Sequence, residues 1–136
     1  PGLFAGTVLD NVQFSGDENI SSCRAREALD VAAFEEQELP DGFETQLDDG
    51  AWGLSEGQRQ RIALARAVAA RPPILVLIEP TTSVDAVTEA LIAKRLRANR
   101  EGLLTLVISA SGAFHALANR VITWRETDRV SAEEKA

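Results

Sequence analysis

The chain has 136 residues with a formal net charge of −7, and 45% of its residues are hydrophobic and 26% are charged. This composition is ordinary for a globular domain, and its acidity disfavours a free-standing nucleic-acid-binding protein, which normally presents a basic face. No apolar run approaches the length of about 20 residues that spans a bilayer, and a single cysteine excludes an internal disulfide. Because the sequence starts at Pro1 and contains no methionine, we expect it to begin inside a longer protein.

The first 54 residues predict a small helical lobe with loops. Residues 7–12 have the pattern of one or two helical turns. Ser21 or Ser22 is placed to cap a helix that runs to about Glu36. The sequence Leu-Pro-Asp-Gly at 39–42 is typical of a turn.

The second half predicts alternating helices and strands. Residues 58–70 lack glycine and proline and are rich in alanine, leucine and arginine, which predicts a helix. The apolar run 74–78 predicts a strand buried on both faces, as in a parallel sheet. Residues 84–100 predict a second helix that is ended by Gly102, and residues 103–108 predict a second buried strand.

The end of the chain predicts a short helix at 113–118, a third strand at 121–124 and a charged, frayed tail from Arg125. We therefore expect a β-α-β-α-β unit with parallel strands. Open parallel sheets bind ligands at the carboxyl ends of their strands. Glu79 and the segment 109–111 follow the first two strands, so we expect them to face one site.

The strongest local signal is the stretch Leu-Ser-Glu-Gly-Gln-Arg-Gln-Arg at 54–61, which opens a helix. The first amides of a helix lack internal acceptors and the helix dipole adds partial positive charge, so this helix start favours an anion. Ser55 adds a hydroxyl donor, and Gly57 lets a phosphate approach the backbone. The alternative is that Ser55 only caps the helix, with Glu56 and Gln58 near its first turn.

Several segments together resemble the nucleotide-binding domain of ABC transporters. Residues 54–67 resemble the family's signature and its helix, 74–78 resemble the Walker B strand, and Glu-Pro-Thr-Thr-Ser-Val-Asp at 79–85 resembles the catalytic-glutamate and D-loop segment. Residues 3–12 resemble the segment after the Q-loop in exporters. The resemblance covers 3–124 and implies an α/β fold, a partial P-loop NTPase-like parallel sheet with flanking helices and a small helical lobe.

The change of pattern near Ser55 and the resemblance together divide the chain into three parts. Residues 1–54 are expected to form a helical, signature-side subdomain. Residues 55–124 are expected to form the signature helix and the Walker B, D-loop and H-loop part of the ATPase core. Residues 125–136 are the charged tail.

In this family two nucleotide-binding domains hold two ATP molecules head to tail, and each signature contacts the γ-phosphate of the ATP held by the opposite domain. The resemblance therefore assigns Ser55, Glu56, Gly57 and Gln58 to nucleotide binding in trans. Glu56 stands where the commonest signature has its first glycine, while Ser55 and Gly57 keep the hydroxyl and the open backbone.

The resemblance gives Glu79 the role of general base, which polarises the water that attacks the γ-phosphate. The alternative for Glu79 is an exposed acid before Pro80. Asp85 corresponds to the D-loop aspartate at the dimer interface. Asp85 is also placed to stabilise the start of the following helix through the helix dipole, and this structural role is compatible with a place at the dimer interface.

Three family features are missing. The Walker A pattern Gly-x-x-x-x-Gly-Lys-Ser/Thr does not occur and is expected upstream of Pro1. Ile78 stands at the Walker B aspartate and offers no oxygen to Mg²⁺, so no metal ligand is assigned. Ser111 stands at the switch histidine and cannot carry its charge. The single histidine, His115, is either an ordinary surface or packing residue or a displaced substitute.

We therefore expect part of the ATP-binding subunit of an ABC transporter, an ATPase that couples ATP binding and hydrolysis to transmembrane transport. The signature is intact, whereas the ATP site that this chain itself forms is catalytically weak. This combination resembles the degenerate half of a heterodimeric exporter, whose signature completes the partner's ATP site. ATP and Mg²⁺ are expected in the full-length dimer but not in the isolated chain. The isolated chain is expected to be inactive and to self-associate through apolar surface around 74–78.

The expected partners are a second nucleotide-binding domain and the transmembrane domains of the same transporter, with no nucleic acid and no direct membrane insertion. The parent protein is expected at the cytoplasmic face of the plasma membrane. The alternative function is a non-catalytic nucleotide-binding or dimerisation module. A chromosome or DNA-repair ATPase shares the motifs but carries coiled-coil heptads, which do not occur in this sequence.

Overall fold

The computed structural model describes residues 2–14 and 20–124, together with the backbone of residues 131–134. Two short 3-10 turns at Glu36–Glu38 and Gly42–Glu44 join the regular elements of the lobe. The other elements are β1 (Gly6–Thr7), α1 (Val8–Gln13), α2 (Ser22–Val31), β2 (Gln46–Leu47), α3 (Glu56–Ala69), β3 (Ile74–Ile78), α4 (Ala86–Asn99), β4 (Leu104–Ile108), α5 (Gly112–Leu117), β5 (Arg120–Thr123) and β6 (Ser131–Glu134). Among these helices, none combines the length and hydropathy needed to cross a membrane.

The helical lobe forms because α1 and α2 pack their apolar sides against each other and against α3. α1 begins with a reciprocal cap, in which the Thr7 hydroxyl accepts from the Asp10 amide at 2.9 Å and the Asp10 carboxylate accepts from the Thr7 amide at 2.8 Å. Its two turns confirm the prediction for residues 7–12. The side chains of Val8 and Val12 are fully buried in the core that the three helices share.

α2 starts as predicted and ends earlier than predicted. The Ser21 hydroxyl accepts from the Arg24 amide at 3.3 Å and caps the helix. The helix ends at Val31 rather than near Glu36, because Ala33 has a φ of 52° and the right-handed helix cannot continue through that conformation.

The central sheet contains β3 and β4, which pair in parallel from Ile74 opposite Leu104 to Ile78 opposite Ile108. One face carries the buried side chains of Leu75 and Leu77, but the prediction of burial on both faces is wrong. Successive side chains point to opposite faces of a strand, and no segment among the described residues covers the second face. We call this second face the open sheet face. Its members are Ile74, Val76, Ile78, Leu104, Leu106 and Ile108.

The third strand does not extend the parallel sheet, so that part of the predicted β-α-β-α-β topology is wrong. β5 pairs with β6 in antiparallel fashion, with Thr123 opposite Ser131. Antiparallel pairing suits segments that are close in sequence, because a short connection is enough to join them. The frayed tail predicted from Arg125 is therefore wrong for residues 131–134, and the remaining tail residues lie outside the described residues.

Candidate functional site

The signature stretch forms the start of α3, where Ser55 is the capping residue. The Ser55 hydroxyl accepts from the Gln58 amide at 3.1 Å, and the Gln58 side chain accepts from the Ser55 amide at 2.9 Å. Ser55 therefore caps α3, which is the structural alternative considered for it. Ser55 and Glu56 remain exposed, so the helix start stays accessible, and its binding of a phosphate stays a prediction.

Arg59 fixes the loop that leads into this helix. Its guanidinium donates to the Leu54 carbonyl at 2.9 Å and to the Glu56 carboxylate at 2.6 Å. It also reaches the carbonyl of Ala51, a residue that has a positive φ of 51°. One side chain thus contacts both the loop ahead of Ser55 and the first turn of α3.

Gly57 has a packing reason in addition to the predicted open backbone. A Cβ atom at this position would lie 2.5 Å from the carbonyl oxygen of Ser83. Real Cβ atoms do not approach a backbone oxygen that closely, so any larger residue would force the two segments apart. The signature helix and the loop after β3 are therefore in direct backbone contact.

Gln60, for which the sequence predicts no role, makes three hydrogen bonds to the same loop. Its Nε2 donates to the Glu79 carbonyl at 3.1 Å and to the Thr82 hydroxyl at 3.0 Å, and its Oε1 accepts from the Ser83 amide at 3.1 Å. Gly57 and Gln60 are three residues apart and thus share one face of the helix. That spacing indicates that Gln60 shares the face of Gly57, but the sequence does not show which loop lies against this face.

Glu79 lies at the carboxyl end of β3, as predicted, and faces the segment after β4. Its amide donates to the Ile108 carbonyl at 2.8 Å, and its carboxylate accepts from the Ser109 hydroxyl at 3.3 Å. The backbone of Glu79 has a φ of 45°, which is uncommon for a residue with a side chain. The parallel pairing has brought Glu79 and Ser109 together as expected from the strand order.

Ser111 is hydrogen-bonded to Ser109, the residue whose hydroxyl donates to the Glu79 carboxylate. Its amide donates to the Ser109 hydroxyl at 3.1 Å, and its own hydroxyl accepts from the Ala113 amide at 3.2 Å, which caps α5. His115 is exposed in the last turn of that helix. A serine in this place is able to donate or accept a hydrogen bond but not to carry a charge.

Asp85 caps α4 and carries the compatible structural role expected for it. Its carboxylate accepts from the Thr88 hydroxyl at 2.7 Å and from the amides of Thr88 and Val87, both at 3.0 Å. The Thr88 hydroxyl and amide hold the pKa of Asp85 below its ordinary value. The carboxylate is therefore ionised at neutral pH, on an exposed surface beside the loop that Gln60 holds.

The residues present at this edge do not fit a Mg²⁺ site. Hard cations take oxygen ligands, and the last residue of β3, Ile78, is 70% exposed and offers only hydrocarbon. The described residues contain no group of three histidine, cysteine, aspartate or glutamate side chains that fits a metal ion. No chemical step is therefore routed through a metal held by these residues.

A groove of about 490 Å³ opens beside Glu79, between α3 and β3. Most of its lining is apolar, with Val76 and Ile78 on one wall. Its one guanidinium, that of Arg66, is engaged by the Asn11 carbonyl at 2.7 Å and by the Asn11 side chain at 3.0 Å. Phosphate needs free donors, so this groove is not a phosphate site and the helix start at Ser55 remains the candidate.

Comparisons with known proteins agree with this geometry. The family model of the ABC transporters matches residues 4–82. A probable multidrug resistance ABC transporter ATP-binding/permease protein of Bacillus subtilis is 39% identical over 109 residues, which are 79% of this chain and 18% of that protein. An ATP-dependent lipid A-core flippase of Ralstonia nicotianae is 37% identical over 132 residues, which are 94% of this chain and 21% of that protein.

A solved structure has the same fold. A bacterial Atm1-family ABC exporter with ATP bound superposes with a TM-score of 0.77 at 29% identity and covers 89% of this chain and 21% of that chain. This match confirms the α/β class and the likeness to P-loop NTPases. The chain spans about a fifth of the length of these relatives. The family match, the exporter relatives and the shared fold together establish that this chain belongs to the ABC transporter family, as an exporter-type ATP-binding domain.

Proposed function

We propose that the parent of this chain is the ATP-binding subunit of an ABC exporter and forms the degenerate-site half of a heterodimer. In this role the chain couples ATP binding and hydrolysis to transmembrane transport by completing the ATP site of a partner subunit. The observation that carries the proposal is a contrast within one chain. The signature residues 55–58 are intact and accessible, whereas Ile78 and Ser111 occupy two positions that need an oxygen ligand and a charge.

The contribution in trans rests on the start of α3. Ser55, Glu56, Gly57 and Gln58 would meet the γ-phosphate of ATP held by the partner, with the first amides of the helix as donors and its dipole as the favourable field. The fixed loop ahead of Ser55 supports this role, because donors that are oriented in advance need no reorganisation when charge develops.

The contribution in cis is weak. Glu79 would act as general base toward a water molecule, and its carboxylate is oriented by the Ser109 hydroxyl at 3.3 Å. Ser111, at the switch position, acts only through its hydrogen bond to Ser109. Asp85 would lie at the dimer interface. ABC ATPases use ATP with Mg²⁺, and in our proposal both are held mainly by the partner's half of the competent site.

The partners follow from this arrangement. They are a second nucleotide-binding domain, which makes the assembly a heterodimer, and the transmembrane domains of the same transporter, at the cytoplasmic face of the plasma membrane. The division of the chain at residue 54 stays part of this proposal. The isolated chain lacks Walker A and Mg²⁺ ligands, so we propose that it does not hydrolyse ATP.

The alternative function is a non-catalytic nucleotide-binding or dimerisation module. It is favoured by Ile78, which removes the metal ligand that hydrolysis in this family needs. Under this alternative the signature would support a partner structurally, and the phosphate contact would not affect turnover.

The test compares two variants in the full-length transporter assembled with its second subunit. Ser55→Ala should lower ATP turnover on the order of 10²-fold, because it removes a donor to the competent site. Glu79→Gln should lower turnover by less than about twofold, the loss that would follow if both sites contributed equally. The heterodimer proposal fails if the full-length protein without a second subunit forms a dimer with full turnover, or if Glu79→Gln is the more damaging variant.

A further inference from the structure

The signature helix and the loop after β3 are joined by a clamp that consists of Gln60, the Glu79 carbonyl, the Thr82 hydroxyl and the Ser83 amide. All three hydrogen bonds lie between 3.0 and 3.1 Å. The direction of the Gln60 amide is fixed by its partners, since a reversed amide would place its N–H groups against the Ser83 N–H and its oxygen against the Glu79 carbonyl. A side-chain amide carries both the donors and the acceptor that these three partners require.

The clamp holds the loop in a conformation that the backbone does not favour. Glu79 has a φ of 45°, and this left-handed conformation is unfavourable for a residue with a side chain. Such a conformation persists only when its surroundings fix it. The surroundings here are the Gln60 bond to the Glu79 carbonyl on one side and the Ile108 carbonyl, 2.8 Å from the Glu79 amide, on the other.

The same contact sets the position of the helix start. Gly57 lies against the Ser83 carbonyl without room for a Cβ atom, and Gln60 follows one turn later on the same face. The close contact at Gly57 and the hydrogen bonds at Gln60 therefore join one face of the helix to the loop at two successive positions.

We infer that Gln60 is a positioning residue that links the two nucleotide sites served by this chain. This inference rests on the proposed function, in which Ser55 serves the partner's ATP while Glu79 serves the site of this chain. Loss of the clamp would free the helix start from the Glu79 loop, and Ser55 would no longer be held where the partner's phosphate needs it. Gln60 would thus affect turnover at a site that it does not touch.

The test uses the full-length transporter assembled with its second subunit. Gln60→Glu keeps the shape of the side chain but replaces the donor by a charged acceptor that repels the Glu79 carbonyl. We expect a fall in kcat of at least about tenfold, since small misplacements of a positioned group cost that much or more. The KM for ATP should change by less than about threefold, because Gln60 does not bind nucleotide. Gln46→Glu makes the same chemical change on an exposed strand outside the clamp and should leave turnover unchanged.

A milder pair of variants keeps the inference testable if Gln60→Glu does not fold. Thr82→Val removes the hydroxyl that accepts from Gln60, whereas Thr82→Ser keeps it. Turnover should fall by several-fold in the valine variant and much less in the serine variant. Equal turnover in the two Thr82 variants, or wild-type turnover in Gln60→Glu, would overturn the link.

The failure of the link is distinguishable from the failure of the proposed function. If Ser55→Ala lowers turnover and Gln60→Glu does not, the proposed function stands and the link is wrong. If Ser55→Ala has no effect, the proposed function is wrong and the link falls with it. If Gln60→Glu is as damaging as Ser55→Ala while Glu79→Gln has little effect, both are supported, because the damage then reaches the partner's site through the helix.

Discussion

Arg61 and Glu38 form a two-pronged ion pair that ties the signature helix to the helical lobe. The guanidinium nitrogens lie 2.8 and 2.6 Å from the two carboxylate oxygens, and both side chains are partly buried. The same guanidinium donates to the Ala33 carbonyl and lies over the ring of Phe34 at 5.0 Å. One arginine therefore closes the end of α2, holds the following turn and fixes the middle of α3.

Glu38→Gln is the first prediction. It removes the charge from a well-aligned, partly buried pair, and hydrogen bonds to charged groups contribute about 1.5–3 kcal/mol. We expect the free energy of unfolding of the chain to fall by about 2 kcal/mol in urea titrations at neutral pH. The matched control is Glu36→Gln, which breaks the exposed pair with Arg26 and should cost less than about 1 kcal/mol. Equal losses in the two variants would contradict the role given to Arg61.

The pH dependence of this pair is the second prediction. Burial acts to raise the pKa of Glu38, but the hydrogen bonds and charge of Arg61 and the Glu35 amide outweigh it, so the pKa lies below its ordinary value of 4.5. A lowered pKa contributes stability above the unfolded value, and this contribution is lost as the pH falls through the folded value. The stability difference between wild type and Glu38→Gln should be constant from neutral pH down to about 5 and shrink below 4.5. A difference that does not shrink as the pH falls below 4.5 would rule out the ion pair as its cause.

Local elements were predictable from the sequence, and long-range contacts were not. Neighbouring residues in the sequence determine the helix caps at Ser55 and Asp85 and the strand at 74–78, so these features were predictable. The position of Glu79 beside Ser109 follows from where the two strands end. By contrast, the positive φ of Ala33, which ends α2 early, is not predictable from the presence of an alanine. The Gln60 clamp depends on a loop about twenty residues away, which helical periodicity does not encode.

Gly57→Ala is the third prediction. The new Cβ atom would lie 2.5 Å from the Ser83 carbonyl oxygen, so α3 and the loop after β3 must separate. Overpacking of this kind costs about 1–3 kcal/mol of stability, and it should also lengthen the Gln60 hydrogen bonds. The change is measured by unfolding titrations together with hydrogen exchange of the Ser83 amide, which should become faster. Gly53→Ala is the control, because a Cβ atom there meets nothing within 4 Å.

The strained backbone at Glu79 gives the fourth prediction. Asparagine tolerates a φ near 45°, whereas a β-branched residue does not. Glu79→Asn should therefore leave the free energy of unfolding of the chain unchanged or slightly higher. Glu79→Val should lower this free energy by about 1–2 kcal/mol. Calorimetry of both variants compares them directly. If valine proves as stable as asparagine, the left-handed conformation does not occur in solution.

Self-association of the isolated chain is the last prediction. The open sheet face presents aliphatic side chains such as Val76 and Leu106, which lie opposite each other in the parallel pair and are 51% and 47% exposed. Contiguous apolar surface of this kind favours association, so light scattering should give a mass that rises with concentration. The double variant Val76→Thr with Leu106→Thr should shift this rise to higher concentration, because threonine keeps the strand preference but adds a hydroxyl on each strand. Val87→Thr makes the same change on α4, where the side chain is 81% exposed, and should have no such effect. A chain that stays monomeric at high concentration, or a control that acts as strongly as the double variant, would show that the open sheet face does not drive association.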